Sequence, residues 1–440
     1  MRDSLIRVDA LGHVLSIEAG RASEADEVLR GPVIPGMPNC HSHAFQRQMA
    51  GLAGHPGPGK TDSFWTWRDA MYRLANRLSP DALQAIALWL YVEMLEAGFT
   101  SCAEFHYIHH RADGEPYDAI DETGARLIEA ASEAGLALTL LPVLYCRAGF
   151  ERETVREEQR RFANSPDRFL RLFEASLDRV GDDPHHVVGL AFHSLRAVSK
   201  EQIEEVLGAE GGRAAAVHIH VAEQAAEVEQ CRAAYGARPV EWLLSNTPVD
   251  DRWCLVHGTH MEPREYDAAA ASGAVAGLCP TTEADLGDGF FEAEYWLGQG
   301  GLMAIGSDSN LRVSPTEELR LLESGLRLRA GRRNILSREG RSCGRFLYEA
   351  AAEGGRTALG QAVGSIAEGF RADLVELDES HPMLRAVEDD DVLDRYVFAG
   401  DKSMVRSVFV AGRKTVKEGF HEARDTAAAG FVAVMEELAE

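Results

Sequence analysis

The chain has 440 residues, 45% of them apolar and 26% charged, the balance expected of a soluble globular protein built from one large and one small domain. Seventy acidic residues against 45 basic ones leave a formal charge of −25, which repels polyphosphate, argues against nucleic-acid binding and points to a small-molecule partner. No uninterrupted apolar stretch marks a membrane span, and the start MRDSLIRVDALGHVLSIEAG lacks the apolar core and cleavage site of a secretory signal, so a cytoplasmic location is expected.

Residues 1–31 read as two short strands. From 32 to 310, apolar or β-branched runs alternate with longer amphipathic stretches, the pattern of repeated βα units around a parallel sheet. Eight such runs occur in order: VIPGMPNCHSH, FTSCAEFHY, LALTLLPVLY, HVVGLAFHS, AAVHIHVAE, WCLVHGTH, AVAGLCPTT and LMAIGSDSN. Segments such as 80–97, 118–134 and 226–245 between them fit helices. Eight units is the count of a (β/α)8 TIM barrel. Nearly every run starts apolar and ends on His, Glu, Tyr, Ser, Thr or Asp, so reactive groups collect at the C-terminal rim, where barrels place their chemistry.

Beyond the barrel, ADLVELD, DRYVFAG and VRSVFVAGRKTV read as further strands, and 422–440 as a C-terminal helix. The two chain ends are expected to meet in a small β-sandwich-like domain, formed by 1–32 and 365–440, around a barrel spanning 33–364. The seven cysteines are scattered without C-x-x-C spacing and read as reduced thiols.

The chemistry centres on PGMPNCHSHAFQRQMAG. Residues two apart in a strand face the same way, so His41 and His43 project together into the barrel mouth while Ser42 points outward. Taken alone, the pair could equally pack or cap a loop. HIH at 218–220 ends the fifth run, His257 the sixth and Asp308 the eighth, which supplies the imidazole and carboxylate groups that a borderline divalent ion such as zinc prefers. His220, nearer the strand end, is the preferred member of its pair, and His218 reads as a buried structural histidine. Glu223 can reach over a metal as a proton carrier, or stabilise a helix N-terminus.

These motifs resemble the amidohydrolase superfamily almost end to end: PGMPNCHSH, HIHVAE, HGTH and GSDSN fall in this order on runs one, five, six and eight. Within it, HSHAFQRQMAG, FWTWRDAMY, EFHYIHH, FHSLRAV, PTTEADLGDG and GSDSNLRVSPTEELR are similar to the formimidoylglutamate deiminase group. The resemblance implies one Zn2+ per chain held by His41, His43, His220 and Asp308. A single metal also agrees with the residues. A second metal is commonly bridged by a carboxylated lysine at a mid-barrel strand end, whereas the only lysine between 61 and 249 is Lys200, at an expected helix start.

The activity implied is hydrolytic deimination of N-formimino-L-glutamate to N-formyl-L-glutamate and ammonia in histidine degradation. Zinc can lower the pKa of a coordinated water to about 7. Asp308 would take a proton from that water, Glu223 would protonate the imino nitrogen, and His257 would stabilise the tetrahedral intermediate or serve as an additional ligand. A dicarboxylate substrate needs charge-assisted donors, for which Arg68 and Arg196 are the candidates, with Gln46, Tyr107 and His193 carried over as further contacts. A homodimer is expected.

The chain departs from the group at its abrupt N-terminus, which suggests an incomplete small domain. Phe192 stands where proline often precedes the run-four histidine, and could shift His193; Cys40 replaces an aliphatic residue. The rival readings are a related deaminase of a heterocyclic base, amidine or guanidine compound, and a non-catalytic barrel scaffold. An uncharged ring needs no pair of arginines, and a scaffold would have lost ligands.

Overall fold

The computed structural model describes residues 4–21, 24–52, 63–385, 387 and 390–439. Eight parallel strands follow one another around a barrel. They are β1 (Met37–Ser42), β2 (Phe99–His106), β3 (Ala137–Leu144), β4 (Leu190–Ser194), β5 (Val217–Val221), β6 (Trp253–His257), β7 (Val275–Leu278) and β8 (Leu302–Ile305). A short stretch, His186–Val188, precedes β4 across Gly189 and already pairs with β3. The ring closes where the residues just after β8 meet β1: Asp308 donates its backbone N–H to the His41 carbonyl at 2.9 Å, and His43 donates to the Asp308 carbonyl at 3.0 Å. This is the (β/α)8 barrel expected from the sequence.

Gly306 permits that closure. A Cβ there would lie 2.8 Å from the Cβ and carbonyl oxygen of His41, so any side chain would push β8 away from the first histidine. The intervening helices carry ordinary start and stop signals. Helix Pro80–Ala97 is capped by Ser79, whose hydroxyl accepts from Ala82 N–H, has proline at its first turn, and ends on the left-handed Gly98. The strands are buried along their length on both faces, as a parallel sheet covered by helices requires.

Both chain ends form sheet outside the barrel. Val33–Pro35, Leu374–Leu377, Val405–Val410, Arg413–Lys417 and Phe420–His421 make a five-stranded antiparallel sheet, and Ser4–Val8 pairs with Val14–Ala19 beside it. Val14 N–H donates to the Phe370 carbonyl and Ala372 N–H to the Gly12 carbonyl, which ties the hairpin to the C-terminal part.

Three local expectations need correction. The first apolar run is two strands split at Gly36: Val33–Pro35 belongs to the small sheet and only Met37–Ser42 to the barrel. The segment 226–245 is two helices, Ala225–Tyr235 and Pro239–Asn246, broken between Gly236 and Pro239. DRYVFAG lies in a helix, Asp390–Ala399, and not in a strand. Val392, Tyr396 and Val397 are buried there at helical spacing, and the Tyr396 hydroxyl donates to the Ala97 carbonyl. The C-terminal segment is helical over Arg424–Ala439. Among the described residues no helix is long and apolar enough to cross a membrane.

Candidate active site

The two ends of β1 and β8 and the C-terminal end of β5 bring four groups together. The ligand atoms of His41, His43, His220 and Asp308 all lie within 4.8 Å of one another, and all four residues are buried. His41 Nε2 is 3.2 Å from His43 Nε2 and 3.0 Å from His220 Nε2, while Asp308 Oδ1 is 3.4 Å from His41 Nε2 and 3.3 Å from His43 Nε2.

The tautomers decide what this packing means. His43 Nδ1 faces the Phe105 carbonyl at 2.9 Å and His220 Nδ1 faces the His193 carbonyl at 2.9 Å. A carbonyl only accepts, so each Nδ1 carries the proton and each Nε2 presents a bare lone pair to His41. Burial pushes His41 down to about 3 and holds His43 and His220 below the usual imidazole range, so the rings stay neutral. One Nε2 proton on His41 could satisfy only one neighbour. Converging lone pairs beside a carboxylate fit a divalent cation, and the backbone carbonyls behind them orient the rings for it. The other histidine of the pair, His218, turns away to the Ala358 carbonyl at 2.7 Å, as a structural residue does. Lys200 pairs with Glu204 near the surface, outside the cluster.

His257 and Asp308 both sit at positive φ, 69° and 43°, an uncommon conformation for residues with side chains and one that marks a site where geometry is imposed. His257 Nδ1 contacts Glu283 Oε1 at 3.2 Å, and its Nε2 lies 3.8 Å from Glu223 Oε1 and 3.7 Å from Asp308 Oδ2. Burial pulls the imidazole down, but the carboxylates of Glu223, Glu283 and Asp308 outweigh it and raise His257 to about 10. Burial raises Glu223 above the usual carboxylate range. Asp308 goes the other way: burial opposes its charge, yet the three neighbouring histidines hold it well below that range.

Glu223 stands outside the helix that follows it. Its own N–H is taken by Glu227, the carboxylate in the first turn of Ala225–Tyr235, so the helix-terminal role falls to Glu227 and leaves the Glu223 carboxyl aimed into the mouth.

The residues 33–415 match the amidohydrolase family model. The formimidoylglutamate deiminase of Pseudomonas aeruginosa is 51% identical over 100% of this chain and 96% of its own length. The chain belongs to the amidohydrolase family. It is a hydrolase acting on carbon–nitrogen bonds, and members of this family generally hold a divalent metal, for which the His/Asp cluster provides the donors. A crystal structure of an amidohydrolase from Brucella melitensis superposes with a TM-score of 0.92 at 45% identity, covering 99% of this chain and 96% of that one. An adenosine deaminase from Xanthomonas campestris, solved with bound zinc, shares the fold at a TM-score of 0.82 and 24% identity, over 100% of this chain and 93% of that one.

Within this amidohydrolase the remaining sequence candidates surround one side of the cluster. Arg196, just past β4, is almost fully buried, with its guanidinium 3.7 Å from Glu223 Oε2 and over the Phe64 ring at 5.9 Å. Arg68, on helix Phe64–Ala75, lies over the Trp65 ring at 4.4 Å and the Tyr72 ring at 5.5 Å. Both Nε groups are buried without a hydrogen-bond partner. His193 packs on Tyr145 at 4.6 Å and on His220 at 5.2 Å, held below the usual imidazole range by burial and then by Arg196, His43 and Arg68. Phe192 beside it is buried and stacked on Trp253. Gln46 donates from Nε2 to the Tyr107 hydroxyl at 3.1 Å, leaving its Oε1 buried and unpartnered. A cavity lined by Gln46, Phe64, Trp67 and Ser309 lies beside this part of the site.

Glu283 was not among the sequence candidates. It lies four residues after Cys279, whose N–H it accepts at 2.9 Å, and holds His257 from behind. Tyr72 and Tyr145, which sit near the arginines, and Gln159, which bonds to both hydroxyls, also escaped the sequence reading.

Proposed function

We propose that this amidohydrolase converts N-formimino-L-glutamate and water to N-formyl-L-glutamate and ammonia, a step of histidine degradation, with one zinc ion per chain and as a cytoplasmic homodimer. The observation that carries the reading is that two arginines with buried, unpartnered Nε groups stand beside a metal-type cluster, as a dicarboxylate amidine requires. The deiminase relative at 51% identity supports the same substrate.

His41, His43, His220 and Asp308 would hold the zinc, which when bound supplies a Lewis acid and lowers the pKa of a coordinated water to about 7. Asp308, held as a carboxylate, accepts the proton shed by the attacking water. His257 carries its second proton toward the developing oxyanion, with Glu283 fixing the ring from behind. Glu223, whose carboxyl is shifted by burial toward its protonated form, delivers one proton to the imino nitrogen. The proton that Asp308 took from the water supplies the second, so that the nitrogen leaves as ammonia while the hydroxyl of the collapsing intermediate returns a proton to Glu223. Arg68 and Arg196 take the two carboxylates, with Gln46, Tyr107 and His193 lining the path between them and the metal cluster. Against the negative net charge, these local cations supply attraction for a dianion.

The test is ammonia release from N-formimino-L-glutamate by zinc-loaded protein. Activity lost on chelation and restored by zinc is expected; release of ammonia from guanine or adenosine, with none from the formimino acid, would sink the reading.

A further inference from the structure

Behind the two arginines lies a hydrogen-bonding unit with no assigned part in the site. Tyr72 on helix Phe64–Ala75, Tyr145 just after β3, and Gln159 in the turn Glu157–Phe162 are all almost fully buried. Gln159 Oε1 accepts from Arg156 N–H at 2.9 Å, and a backbone N–H can only donate, so the orientation of the amide is settled. Its Nε2 therefore faces the phenols, donating to the Tyr72 hydroxyl at 3.0 Å and the Tyr145 hydroxyl at 2.7 Å.

Both phenol oxygens act as acceptors toward Gln159, so both phenolic hydrogens must point elsewhere. Neither phenolic hydrogen has an acceptor among the described residues, since Gln159 meets both oxygens as a donor, and a buried donor is costly to leave unpaired. Their surroundings are cationic: Arg68 lies over the Tyr72 ring, and the charges of Arg68 and Arg196 both act on Tyr145. Tyr145 in turn packs on His193, one side chain away from the metal-type cluster.

We propose that Tyr72 and Tyr145, oriented by Gln159, form a neutral donor floor that binds one carboxylate of the substrate beside the Arg68 and Arg196 guanidinium groups. Tyr72 and Tyr145 are binding residues, and Gln159 is a positioning residue. The inference rests on the deiminase reading for the identity of the substrate, but on the Gln159 hydrogen bonds and the neighbouring guanidinium groups alone for the carboxylate.

Tyr72→Phe and Tyr145→Phe keep both rings and remove one hydroxyl each. Their kinetics are compared on N-formimino-L-glutamate, on N-formimino-L-glutamine, which lacks the distal charge, and on 4-formimidoylaminobutanoate, which lacks the α-carboxylate. At least one variant is expected to lose about tenfold or more in kcat/KM on the diacid, mainly through KM. That loss should vanish on one of the two analogues. Equal losses on all three compounds, or none in either variant, would overturn the proposal. Gln159→Glu, whose carboxylate would claim both phenolic hydrogens, should raise KM and leave kcat within about twofold; a fall in kcat at constant KM counts against it. Calorimetric binding of glutarate to the zinc-loaded protein separates the two readings. Affinity unchanged in both Phe variants overturns the donor floor, whereas weakened glutarate binding with no ammonia release from any formimino compound overturns the deiminase reading alone.

Discussion

The state of each titratable group in the mouth follows from what stands directly behind it. The His43 and His220 rings are fixed by carbonyls at 2.9 Å, so replacing either with alanine removes a bare nitrogen donor and leaves a gap in the coordination set. His220→Ala is expected to bind zinc at least tenfold more weakly by metal analysis after dialysis, and full zinc retention would contradict its role as a ligand. Glu223→Gln keeps the shape and removes the transferable proton. A fall in kcat of about 10²-fold or more is expected, with zinc content unchanged. The metal-type histidines were legible in the sequence because strand alternation places His41 and His43 on one side and because the remaining groups end other strands. Glu283 was not, since its contact with His257 arises only where the ends of β6 and β7 come together. Gln159, Tyr72 and Tyr145 were invisible for the same reason: they belong to three separate segments that share no motif.

At the scale of elements, the site depends on how β1 is held between β8 and β2. Gly306 lets β8 reach His41, and a Gly306→Val substitution would force a Cβ within 2.8 Å of that residue. It is expected to cost about 1–3 kcal/mol in denaturant unfolding and to weaken metal retention. On the other side, the buried Glu104 of β2 accepts the Ala44 N–H at 2.6 Å and so fixes the loop that carries His43. Burial raises this carboxyl from 4.5 to about 8. The folded state therefore binds the proton more tightly than the unfolded chain, and its stabilising contribution is complete below about 4.5 and lost as pH rises through about 8. Glu104→Gln should unfold with a flatter stability profile than the native chain between these limits; parallel profiles would refute the assignment. Strands buried on both faces were easy to read, since a continuous apolar run that ends on polar residues is the pattern of a strand covered by helices and open only at its rim. The helix Asp390–Ala399 was read as a strand because YVF is aromatic and β-branched, and its true period shows only when Val392 and Tyr396 are taken together as one buried face.

For the whole molecule, the barrel count, the rim that bears the chemistry and the gathering of strands from both chain ends outside the barrel were all present in the order of the sequence elements. The pairing of Val33–Pro35 with Leu374–Leu377 was not, because antiparallel partners so far apart in the chain leave no local trace. Family membership fixes the class of reaction, and the proposed choice of substrate rests on the arginine side of the site. Ammonia release by the zinc-loaded protein, measured across N-formimino-L-glutamate, N-formimino-L-aspartate, a guanidino acid and a purine, in the native chain and in Arg68→Met and Arg196→Met, tests that choice most directly. The expected result is a preference for N-formimino-L-glutamate that falls by about 10²-fold or more in kcat/KM in each variant while zinc content holds. A native preference for the purine, or arginine variants as active on the formimino diacid as the native chain, would contradict it.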